Sequence, residues 1–100
     1  MKTKLKKIVN HYGFSNQLQM LVEEMAELTQ AICKYKRYND ATNRIAVIEN
    51  LIEEMADVEV VLTQVKMIVG NDDVEKRIAE KVERQLERIK QEEEEWMESK

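Results

Sequence analysis

Residues 21–28 read Leu21-Val22-Glu23-Glu24-Met25-Ala26-Glu27-Leu28, and residues 51–58 read Leu51-Ile52-Glu53-Glu54-Met55-Ala56-Asp57-Val58. The offset is thirty residues; five positions are identical and three are conservative exchanges. Leu, Glu, Met and Ala are strong helix formers. Each octet also lies in a longer segment whose apolar residues recur at alternating steps of three and four. In the first segment these are Leu18, Leu21, Met25, Leu28 and Ile32; in the second, Ile48, Leu51, Met55, Val58, Leu62, Val65 and Val69. That period is one buried stripe on a helix. It predicts helices over about 16–37 and 44–69, joined by the polar connection Tyr38 to Asn43.

Residues 3–12 predict a short first helix with Leu5, Ile8, Val9 and Tyr12 on one side. Gly13 interrupts it, and Ser15 or Asn16 offers a cap for the next helix. After residue 69, Gly70 suits a helix C-terminus, and Asp72 followed by Glu75 resembles a capping box. A fourth helix is predicted from about Asp73 towards the C-terminus, with a thinner stripe of Val74, Ile78, Val82, Leu86 and Ile89. Glu92 to Glu95 repel one another, which predicts fraying from about residue 91. Pro is absent and Gly occurs only at 13 and 70. The expected class is therefore all-α, one domain over residues 1–100, a four-helix bundle-like subunit. A core this small is often completed by copies of the same chain, so a dimer or dimer of dimers is expected.

The formal net charge of −4 argues against a general nucleic-acid-binding surface. The lone Cys33 cannot form an internal disulfide and fits a reducing compartment. No stretch approaches the ~20 apolar residues that span a bilayer, and no signal-peptide pattern follows Met1. A soluble, cytoplasmic protein without a membrane partner is the expectation.

The octets carry the chemistry. Glu24 and Glu27 are spaced i, i+3, as are Glu54 and Asp57, so each pair shares a helix face, ~5–6 Å apart at Cβ. Each of the four stands one residue before a position of the apolar stripe. If the helices pack antiparallel, as a short connection suggests, four carboxylates converge beside an apolar seam. Such a cluster needs a cation, and neither octet contains Lys or Arg. A bound metal ion is the simplest candidate. All-oxygen ligands favour Mg²⁺ or Mn²⁺; zinc would want His or Cys, of which there is only His11 and Cys33. A helical Glu is ordinarily a solvated surface residue, and acidic residues number 20 here. These four differ in that the pair occurs twice, both times beside the seam.

The motifs Glu23-Glu24-Met25-Ala26-Glu27 and Glu54-Met55-Ala56-Asp57, on consecutive long helices, resemble those of the all-α nucleoside-triphosphate pyrophosphohydrolases. This is the MazG-like family, in one superfamily with dimeric dUTPases and dCTP pyrophosphatases. The resemblance runs from about Tyr12 through Arg88 and includes Gln17-x-x-x-Leu21-x-Glu23-Glu24 and Lys81-x-x-Arg84. It implies water attack at the α–β phosphate linkage of a nucleoside triphosphate, giving the monophosphate and pyrophosphate. It implies Glu24, Glu27, Glu54 and Asp57 as Mg²⁺ ligands, with Gln17, Lys81 and Arg84 in contact with substrate. The proton acceptor is Glu23 or one of the ligand carboxylates. Where some relatives carry a further basic residue four after the lysine, this chain has Gln85. Other readings are the same reaction on another phosphorylated metabolite, such as phosphoribosyl-ATP, and a non-enzymatic helical adaptor. His11, the aromatic residues and the six Met read as structural, and Trp96 as an anchor for the tail.

Overall fold

The computed structural model describes all 100 residues, in four helices and no strands: α1 (Lys2–Tyr12), α2 (Phe14–Tyr38), α3 (Arg44–Val69) and α4 (Asn71–Glu98). The all-α expectation holds, and no helix is long and apolar enough to cross a membrane. The chain divides into two compact units, Met1–Val69 and Gly70–Lys100.

In the first unit α2 and α3 form the main contact, and α1 packs on both. Gly13 permits the tight passage from α1 into α2 by adopting φ +92°, a conformation that side chains disfavour. It also replaces the expected side-chain cap. No side chain caps α2, and the Asn16 amide instead donates to the Tyr12 carbonyl at 2.6 Å. Between α2 and α3, one Asp40 carboxylate oxygen accepts the backbone N–H groups of Thr42 and Asn43, both at 3.0 Å. These bonds hold the Asp40 carboxyl below its ordinary range and satisfy two donors of the turn that leads into α3.

The buried seam keeps Leu21, Leu28, Leu51, Val58 and Val65 of the predicted stripe but replaces Leu18, Met25, Ile32, Met55 and Leu62 by the residue before each. On α2 the buried positions are Gln17 and Ala31, with Leu21, Glu24, Leu28 and Tyr35 half-buried. On α3 they are Val47, Val61, Gln64 and Val65, with Leu51, Glu54 and Val58 half-buried. Leu18, Met25, Ile32, Met55, Leu62 and Val69, placed by periodicity in the core, are 40–65% exposed. The physical reason is register. One residue is ~100° of helix rotation, so each helix carries two adjacent stripes, and the α2–α3 contact uses the one holding the acidic positions.

That choice leaves a second surface. Met25 follows Glu24 and Met55 follows Glu54 by the same ~100° in the same sense. In an antiparallel pair this places both on one side of the hairpin. Only six apolar residues are buried, Leu5, Val9, Ala31, Val47, Val61 and Val65, a small core for a chain of this length.

The second unit is α4 alone. It buries no residue. It is helical through Glu92–Glu95 to Glu98. Arg88 and Lys90 stand four residues before Glu92 and Glu94, which offsets part of the repulsion. The end is closed by the Ser99 hydroxyl, which donates to the Trp96 carbonyl at 2.7 Å, and by the Lys100 ammonium 3.9 Å from the Trp96 ring centre.

Candidate metal centre

One buried hydrogen bond marks the register of α2 against α3. The Gln17 side-chain amide donates to the Gln64 side-chain carbonyl at 2.6 Å, and both residues are buried. Seven residues along α2 from Gln17 is Glu24; seven residues back along α3 from Gln64 is Asp57. Three further steps in each direction reach Glu27 and Glu54. An antiparallel pair registered by the two glutamines therefore brings the two acidic pairs opposite each other, two helical turns away.

The geometry meets that expectation. Glu24, Glu27, Glu54 and Asp57 each offer a carboxylate oxygen, and the four oxygens lie within 4.8 Å of one another. Glu24 and Glu54 are half-buried in the seam, while Glu27 and Asp57 are exposed at its edge. One oxygen each of Glu24 and Glu54, the Oε2 atoms, is buried without a hydrogen-bond partner. A buried, unpartnered carboxylate oxygen is costly. Burial, followed by repulsion from Glu27 and Asp57, raises the carboxyls of both Glu24 and Glu54 above their ordinary value. The donor set is all oxygen, clustered, partly desolvated and without a cationic side chain among its members. It fits a hard divalent cation that keeps open positions towards solvent on the Glu27–Asp57 side.

The other predicted site residues fall in three places. Glu23 is exposed on α2 beside Glu24. Gln17 lies within the seam, bonded to Gln64. Lys81 and Arg84 are exposed on α4, where they share one face with Arg77. Gln64 was missed by the sequence reading. The signal for it was present: it lies seven residues after Asp57, as Gln17 lies seven before Glu24, which in an antiparallel pair sets the two glutamines opposite each other.

Comparison of the chain with protein-family models, with curated proteins and with solved structures finds no match.

Proposed function

We propose that this chain is a Mg²⁺-dependent nucleoside-triphosphate pyrophosphohydrolase of the MazG-like kind, with Mn²⁺ as a substitute ion. The observation that carries the proposal is the convergence of four carboxylates from a duplicated octet, with two buried oxygens that have no partner within the chain. Glu24, Glu27, Glu54 and Asp57 hold the ion. Bound there, it neutralises phosphate charge and lowers the pKa of an attacking water.

The chain's own residues supply the rest. Glu24 and Glu54 orient from the seam, fixed by packing. Glu27 and Asp57 leave the outer side open, so a polyphosphate can approach from solvent. Glu23 neighbours the ligands without being one of the four, and it can accept a proton in the step that frees pyrophosphate; a ligand carboxylate is the alternative acceptor. The exposed apolar flank of α2 and α3 supports self-association into a dimer or dimer of dimers.

The test is release of pyrophosphate from a panel of nucleoside triphosphates and phosphoribosyl-ATP, with and without Mg²⁺. Metal-dependent release is expected. Glu24→Gln or Asp57→Asn should lower it by at least about 100-fold, since loss of groups that merely support a ligand already costs 10–100-fold. Both variants should keep the parent's circular dichroism. Release that survives either substitution, or no release from any member of the panel, would leave the metal-independent adaptor reading in its place.

A further inference from the structure

Helix α4 is 28 residues long and amphipathic, yet it buries nothing. Over residues 79–96 a heptad frame sets Ala79, Leu86 and Glu93 alternating with Val82, Ile89 and Trp96 at steps of three and four, five apolar positions and one acidic, with Ile78 and Met97 at its edges; this is the pattern by which one helix packs along another. Val82, Leu86, Ile89 and Trp96 are 49–60% exposed. A row of large apolar side chains left half in water along one face requires a cover.

We propose that α4 pairs antiparallel with α4 of a second copy of this chain, with Leu86 of each copy opposite Ile89 of the other. Three features of the helix select this occupant and this direction. The first is size. Antiparallel pairing with Leu86 against Ile89 puts Trp96, the largest residue of the row, against Ala79, the smallest. Parallel pairing would set two Trp96 rings in one layer.

The second feature is the acidic member of the row. In a parallel pair Glu93 faces the second Glu93 within the seam, and Glu92 to Glu95 of both chains crowd together. In the antiparallel pair Glu93 faces Val82, and the acidic ends lie apart. The third is the flank. Glu83 and Lys90 occupy the same heptad edge position, which in an antiparallel pair brings Glu83 of one copy beside Lys90 of the other, twice by symmetry. The parallel arrangement brings Gln85 beside Lys90 and forms no ion pair. The inference is independent of the metal site, since it uses no residue of the first unit.

Orientation is read by disulfide trapping in the full chain. In a Cys33→Ser background, Leu86→Cys and Ile89→Cys are prepared separately and oxidised alone and as an equimolar mixture. The expected result is a mixed 86–89 dimer dominating the mixture, with little linkage of either variant alone. Dominant self-linkage of each variant would establish a parallel pair. No linkage in the mixture would mean that α4 covers the α2–α3 flank or a different protein. Either result overturns the proposal.

A charge exchange gives a second reading without touching the apolar row. Glu83→Lys and Lys90→Glu should each weaken self-association about fivefold, as expected for two edge ion pairs turned repulsive. The double variant should return to within about twofold of the parent, because residues seven apart on one helix do not touch. A double variant weaker than both singles would equally overturn the pairing.

Discussion

In the metal-free protein the carboxyls of Glu24 and Glu54 are raised above their ordinary value of 4.5 by burial and by their acidic neighbours. The folded state therefore binds more protons than the unfolded chain at pH just above 4.5, and stability rises as pH falls from neutral through that window. Asp40 acts in the opposite sense. Its carboxyl is lowered from 3.8 by its bonds to Asn43, so its contribution is present above pH 3.8 and is lost as pH falls further. A melting-temperature profile of the metal-free protein should thus gain stability between neutral and mildly acidic pH and lose it again in stronger acid. The acidic gain should vanish in the Glu24→Gln/Glu54→Gln double variant; its persistence there would place the gain elsewhere. Saturating Mg²⁺ should invert the trend, because it binds only the ionised carboxylates. At 100 times its dissociation constant the stabilisation is about 2.7 kcal/mol, seen near neutral pH and absent in acid. Gly13 supplies a separate prediction at this scale. An added Cβ there meets nothing within 4 Å, so Gly13→Ala tests backbone strain without a clash. It should cost about 1–3 kcal/mol, measured by denaturant unfolding.

At the scale of the elements, the two long helices and their boundaries were readable because apolar residues at steps of three and four leave no alternative to a helix. The connection was readable from Asp40 and Asn43. Which stripe turns inward was not. Leu18, Met25 and Ile32 are the more apolar set, and a rule that buries the most apolar face selects them; the chain instead buries the line through Gln17, Glu24 and Ala31. Periodicity measures apolar content and carries no information on a buried amide pair. The bond between Gln17 and Gln64 supplies what the pattern could not, since each amide is costly to bury except opposite the other. Gln17→Leu or Gln64→Leu should each cost about 1–3 kcal/mol by leaving the partner unsatisfied, while the double variant should cost clearly less than the two together. If the pair also sets the position of the carboxylates, each single variant weakens Mg²⁺ binding, read by calorimetry on protein that is still folded. Additive stability losses would mean that the glutamines do not act as a pair, and unchanged Mg²⁺ affinity in the singles would separate the register from the site.

For the whole molecule, the small buried core, the apolar flank of α2 and α3, and the uncovered row on α4 share one cause. Helix α3 carries apolar residues around its whole circumference, among them Ile45, Ile52 and Leu62, and such a helix belongs in an interior. The fold class was legible because it depends on local period. The proposed assembly rests in the sequence only on a need for more burial, because no single-chain pattern states which copy covers which face. If two different uncovered faces on one chain are each covered by their own counterpart in a second copy, as proposed, they generate two kinds of two-fold contact, and two such contacts close a dimer of dimers. Sedimentation should then show a tetramer that comes apart in two distinguishable ways. Leu62→Glu places a charge on the α2–α3 flank, where Leu62 is 40% exposed within the chain, and should leave dimers held by α4. Leu86→Glu, at a position 55% exposed, should leave dimers held by α2 and α3. The two changes together should give monomers. Because neither side chain belongs to the chain's own core, helicity should be retained, which separates lost assembly from lost folding. A parent that sediments as a monomer would remove both contacts at once, and dimers resistant to both substitutions would show that the faces are covered in some other way.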